Sequence, residues 1–152
     1  MYYKRILDAL PELIYVTKED GITATFYNKT WYDYTGLSEK DVESGWESIV
    51  DPHDTSRIYH VINSAVAKKE PYELEFRLKN AHTGGYRWFL ARANPVFDEH
   101  GSLDSYVGMS VDIHDTKLSI RDMEKVYEAE MQKRLHKIHL LEEELKLHKT
   151  EQ

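Results

Sequence analysis

Cysteine is absent from this 152-residue chain. That excludes disulfides, thiolate metal sites, a cysteine nucleophile and a cysteine–flavin adduct. Proline and glycine are scarce, at 4 and 7. Pro95 is the last proline and Gly108 the last glycine, so nothing from Met109 onward breaks a helix. No apolar run approaches the roughly 18 residues of a membrane span, and the start Met1-Tyr2-Tyr3-Lys4-Arg5 has no signal-peptide apolar region. A soluble cytoplasmic protein, or a cytoplasmic piece of a larger one, is expected. Paired carboxylates, nucleophile–base pairs, metal-spaced clusters and a nucleotide-binding glycine loop are also missing. This argues against catalysis by the chain itself and predicts no metal site.

What is present divides into two parts. The apolar fraction of 41% supports a real core, and 11 tyrosines with 3 tryptophans suit a sheet. Net charge is −7, yet residues 117–152 carry eight Lys/Arg and eight Asp/Glu, so the whole excess lies in residues 1–116. An acidic domain repels phosphate backbones, so no nucleic-acid partner is expected. Three segments follow: a cap at 1–11, a domain at 12–115 and an amphipathic helix at 116–152.

The helix is rich in Glu, Lys, Leu, Met and Arg. Its apolar stripe runs Ile120, Met123, Tyr127, Met131, Ile138, Leu141, Leu145, interrupted by Arg134. Its period is about 3.57 residues per turn, between a coiled-coil seam and a straight helix. The stripe is therefore the expected seam of a homodimer stalk, against the alternative of a helix packed on its own domain. His136, His139 and His148 read as a solvated face.

In the domain, Ile6–Leu10 reads as a short helix stopped by Pro11. Leu13–Thr17 and Ile22–Tyr27 read as a hairpin turned by Glu19-Asp20-Gly21. Asn28 caps a short helix ended by Gly36, Ser38 and Asp41 resemble a capping box, and Asp54 is expected to cap a longer helix through Val66. Three strands follow at Tyr72–Leu78, Tyr86–Phe97 and Leu103–Ile113, separated by Thr83-Gly84-Gly85 and Asp98-Glu99-His100-Gly101. The order predicts an α+β domain, a five-stranded antiparallel sheet with helices on one face, plus the long C-terminal helix.

Several strings in this order resemble the PAS family with its C-terminal PAC extension. They are Tyr27-Asn28-Lys29-Thr30-Trp31, Tyr34-Thr35-Gly36-Leu37-Ser38, Trp46 ahead of Asp51-Pro52-His53-Asp54, Glu75-Phe76-Arg77, Gly84-Gly85-Tyr86-Arg87-Trp88, Pro95-Val96 with Asp98 and Gly101, and Tyr106-Val107-Gly108 ending at Asp112-Ile113. The chain departs from the family where His53 and Asp51 exchange their usual places, and where His114 takes a common threonine position.

Alternation alone would bury Val107, Met109 and Val111. The resemblance instead turns Tyr106, Gly108 and Ser110 inward, with Phe89, Ala91 and Ala93, and leaves Trp88, Leu90, Val107 and Met109 outward, to be covered by the N-terminal helix or a partner subunit. Leu74, Phe76 and Leu78 face inward on both grounds. The resemblance implies a sensory and signal-transduction module, of the kind found in two-component systems. Its small-molecule pocket would be lined by the inward set, with Ala91, Ala93 and Gly108 leaving room and Tyr106 and Ser110 as polar handles. Asp112 would tie the sheet to the exit helix, with Arg87 its candidate partner. No cofactor is required. Alternatives are a ligand-free dimerisation scaffold, or a haem- or flavin-bearing redox or gas sensor in which His60 would ligate haem. A kinase, cyclase or further sensor domain would then lie beyond the exit helix.

Overall fold

The computed structural model describes residues 2–43 and 45–151. Met1 and Gln152, the outer bounds of the first and last expected segments, lie outside the described residues. The chain separates into two compact units, one ending at His114 and the other beginning at Asp115. In chain order the elements are α1 (Tyr2–Ala9), β1 (Leu13–Thr17), β2 (Ala24–Tyr27), α2 (Lys29–Thr35), α3 (Thr55–Lys68), β3 (Tyr72–Lys79), β4 (Tyr86–Phe97), β5 (Leu103–Asp112) and α4 (His114–Thr150). Short 3₁₀ turns at Glu39–Asp41 and Gly45–Ser48 lie between α2 and α3. The five strands form one antiparallel sheet in the order β2-β1-β5-β4-β3. The expected fold class is therefore the observed one.

Local chemistry sets most boundaries. The β1–β2 turn is held by Asp20, whose Oδ1 accepts the amides of Ile22 and Thr23 at 2.9 Å each. Those two amides are thereby taken from the ladder, and β2 begins at Ala24 rather than at Ile22. The β4–β5 turn repeats the device, with Asp98 accepting from His100 and Ser102. Gly21 and Gly101 sit at φ 71° and 79°, where a side chain would be strained. α1 starts at Tyr2, ahead of the expected Ile6.

Asn28 is a buried knot. It is 0% exposed, and its amide makes four bonds. Oδ1 accepts from Ile14 N at 3.0 Å and Trp31 N at 3.2 Å. Nδ2 donates to Leu7 O at 2.8 Å and Glu12 O at 2.9 Å. One side chain thus caps α2 and ties it to β1 and to α1. α1 also reaches α2 directly, because Asp8 Oδ1 accepts the Lys29 amide and Leu10 O accepts the Thr30 hydroxyl. So α1 is bound at the start of α2 by these contacts. Val107 and Met109, on the outward face it was expected to cover, remain 40% and 39% exposed.

Asp54 occupies the N-cap position of α3 but makes no capping bond there. Its carboxylate instead accepts the Arg77 backbone amide at 2.8 Å, Arg77 Nε at 3.0 Å and Arg77 Nη2 at 2.7 Å. This corrects the capping expectation. The reason is non-local: β3 is an edge strand, and Arg77 offers its main-chain donor and its guanidinium together. Asp51 N donates to Arg77 O, and Lys79 N donates to Ile49 O. The Arg77–Lys79 end of the free edge of β3 is thereby occupied by residues 49–54. Burial pushes the Asp54 carboxyl up, but the Arg77 hydrogen bonds and charge outweigh that and hold it below the usual carboxylate range.

Candidate functional site: the hollow over the central strands

The strand register explains where the interior has room. Across the inner face of the sheet, one row reads Tyr27, Tyr15, Gly108, Ala93, Tyr72. The next reads Leu13, Ser110, Ala91, Leu74. In both rows the central strands β5 and β4 carry small residues and the flanking strands carry large ones. Tyr106 and Phe89, at 0% and 1% exposure, close the two ends of this trough.

The two rows are used differently. The Tyr15 ring lies over Gly108, where an added Cβ would sit 2.1 Å from Tyr15 Cζ. Its hydroxyl meets the Tyr72 hydroxyl at 2.7 Å, so two phenols bridge from β1 to β3 above Gly108 and Ala93. Gly108 was expected to leave pocket space, and the Tyr15 ring takes that space instead. The row of Ser110 and Ala91 stays open. It floors a cavity of about 80 Å³ whose sheet side includes Leu13, Leu74 and Ser110 and whose helix side includes Trp31, Ile58 and Ile62.

Among the described residues the lining contains no Asp, Glu, Lys, Arg or His. Trp46 Nε1 donates to Ile22 O at 3.1 Å and Thr17 Oγ1 to Lys18 O at 2.7 Å, so both are already satisfied. Ser110 is only 4% exposed, and its hydroxyl makes no hydrogen bond to another described residue. The Tyr27 and Trp31 rings stack at 3.5 Å and stiffen one wall.

Of the residues expected to line a pocket, Leu74, Phe76, Leu78, Ala91 and Ser110 do so. The inward turn of Phe89, Ala91, Ala93, Tyr106 and Ser110 is observed as burial at 4% or less. Phe89, Ala93 and Tyr106, however, stand off the cavity. Tyr106 is not a free polar handle, because its hydroxyl donates to Glu70 O at 2.8 Å and lies 3.3 Å from Ala65 O. It ties β5 to the end of α3. His60 is exposed on α3 and is not in the cavity wall. It cannot reach an iron bound there. A haem or a flavin also needs the several hundred Å³ typical of cofactor pockets, so the residues present fit neither group. Tyr15 and Tyr72 were not among the residues expected to line the pocket. Their pairing spans 57 positions, and only the register reveals it.

Asp112 and Arg87 do meet. Arg87 Nε donates to Asp112 Oδ2 at 2.7 Å. Asp112 Oδ1 accepts the His114 amide at 2.9 Å, and the Trp88 amide donates to His114 Nδ1 at 3.3 Å. The histidine that replaces the family's threonine is thus an acceptor for β4. Of the seam residues, Ile120, Met123, Tyr127, Ile138, Leu141 and Leu145 are 50–71% exposed, and Met131 is partly exposed. α4 has no buried residue among those described.

A five-stranded antiparallel sheet with helices over one face and a small apolar cavity beneath them defines an α+β class of domain. The family described as PAS fold matches residues 24–110. The chain is 32% identical over 112 residues to an uncharacterised protein of Sinorhizobium fredii, covering 73% of this chain and 13% of that protein. It is 27% identical over 122 residues to the peroxide stress-activated histidine kinase mak1 of Schizosaccharomyces pombe, covering 80% of this chain and 7% of that one. The crystal structure of a PAS domain from Colwellia psychrerythraea superposes with a TM-score of 0.62 at 22% identity, covering 75% of this chain and 96% of that one.

The chain belongs to the PAS-fold family and is a sensor-type domain homologous to domains of histidine kinases. It spans only a small fraction of the curated relatives it matches. Among the described residues no helix is long and apolar enough to cross a membrane.

Proposed function

We propose that the chain is the cytoplasmic sensory input module of a larger signalling protein. A small uncharged molecule enters the hollow over Ser110 and Ala91 and shifts the central strands. The shift reaches α4 through the Arg87–Asp112 clasp and changes how α4 pairs with α4 of a second copy. A kinase or cyclase downstream would read that pairing, and the chain itself carries out no reaction.

The observation that carries this reading is the position of β5. The same strand supplies Ser110 to the cavity floor and, two residues later, Asp112 to the bond that holds the His114 amide. A displacement at the floor therefore has two residues to travel before it meets the clasp. A ligand acts this way only through its different affinity for the two strand positions. The acidic domain and the lack of charged residues in the cavity wall also favour a neutral ligand over nucleic acid.

The test has two parts. Native mass spectrometry of the purified chain should show a dimer that survives removal of small molecules. In a chimera with a histidine-kinase output, Asp112→Ala should uncouple autophosphorylation from the input. Unchanged output from Asp112→Ala would sink the relay. A strictly monomeric chain at tens of micromolar would sink the paired helix.

A further inference from the structure

The Tyr15–Tyr72 bridge carries more than packing. Each phenol owns one O–H donor. Their single contact at 2.7 Å uses one of the two protons, and neither hydroxyl has a hydrogen bond to any further described residue. Burial and the neighbouring Tyr72 push the Tyr15 phenol well above its usual range, and burial pushes Tyr72 up to about 12. Both protons are therefore present at neutral pH. One O–H is left over, and both tyrosines line the cavity.

The register places this spare donor beside the other unpaired group. Gly108, under the bridge, and Ser110, under the open row, are two apart on β5 and face the same way. The chamber thus has a polar end made of a phenol donor and the Ser110 hydroxyl, and an apolar remainder. It has no cation to hold a carboxylate or phosphate and no carboxylate to hold an amine. At about 80 Å³ it accepts a molecule of only a few heavy atoms.

We infer that the cavity selects a small neutral carbonyl compound, a ketone, aldehyde or amide, whose oxygen accepts from the Tyr15–Tyr72 pair while its alkyl part fills the apolar remainder. This inference rests on the reading of the hollow as a ligand site and names the chemistry of that ligand. An oxygen acceptor satisfies the surplus proton without disturbing the bridge. A hydrocarbon of equal size would leave that proton bare.

The experiment uses the full chain, with acetone as the carbonyl probe and xenon as the apolar one, each titrated by NMR. In the wild type, acetone should shift the Cζ resonance of Tyr15 or Tyr72, and xenon should shift methyl signals of Leu13 and Leu74 but not those carbons. Tyr15→Phe/Tyr72→Phe removes both partners at once and leaves no half-satisfied group behind. It should weaken acetone about tenfold, the equivalent of one hydrogen bond, and leave xenon within about twofold. Equal changes for the two probes, or an acetone affinity that survives the double substitution, overturn the carbonyl assignment while the cavity stands. Failure of xenon and acetone alike to bind overturns the cavity reading and this inference together. Should the double variant not fold, the wild-type Cζ shifts decide alone: no response of either tyrosine to acetone overturns the assignment.

Discussion

The two units treat their apolar residues in opposite ways. In the unit ending at His114, sixteen buried apolar residues form one cluster around the sheet and helices. In α4, seven stripe residues are at most partly buried, and the charges are balanced. The first unit buries its core within itself. The second has a hydrophobic face with nothing of its own to put against it, at a period suited to a second helix of its kind. Residue type alone does not distinguish the two cases, since Leu, Ile and Tyr serve in both. What differs is that the first unit buries them and α4 leaves them at least partly exposed.

That contrast can be broken from either side. The largest effect is expected at Asn28. Asn28→Ala removes partners from two amides and two carbonyls in the interior, and should cost the first unit about 4 kcal/mol, measured by urea unfolding. Gly108→Val should follow at about 3 kcal/mol, because its side chain must displace the Tyr15 ring; the same measurement checks it, and loss of Tyr15–Tyr72 cross-peaks would show the cause. On the other side, Leu141→Glu should weaken the proposed pairing of α4 by about 2 kcal/mol in sedimentation equilibrium. It should leave the unfolding midpoint of the first unit where it was. A shift of that midpoint would mean that Leu141 supports the first unit after all.

The smallest effect is pH-dependent. The folded Asp54 carboxyl titrates below its unfolded value, so its contribution is fully present above about pH 4 and disappears as pH falls through the folded value. Asp54→Asn should therefore lower stability by about 1 kcal/mol at pH 7 and flatten the acid limb of the stability–pH curve. A variant whose acid limb matches the wild type would remove Asp54 from that role.

The features legible in the sequence were those set by neighbours. Asn28 before a short helix, Asp20 and Asp98 at turns, and Ser38 with Asp41 act over two to four residues, and each does what its type suggests. The Arg87–Asp112 pair was reached only through family resemblance, since 25 residues separate its members. The inward parity of β4 and β5 had the same source, because their apolar residues occupy both faces and alternation pointed the wrong way.

What stayed hidden depends on register between distant strands. Gly108 looked like empty space until Tyr15 was placed opposite it. Tyr106 looked like a free hydroxyl until the end of α3 was placed above it. Asp54 looked like a helix cap, and only the edge position of β3 shows why it prefers Arg77. His60 lay on the expected helix but on its exposed side.

The covered Arg77–Lys79 end of the β3 margin has a further consequence. Modules carried in long polypeptides lie close to other sheets at high local concentration, where an open strand margin invites pairing with the wrong neighbour. Here Arg77 has its amide taken by Asp54 and its carbonyl by Asp51, and the Lys79 amide is taken by Ile49. The opposite margin, β2, is four residues long. Both margins are thereby shortened as templates for a neighbouring sheet.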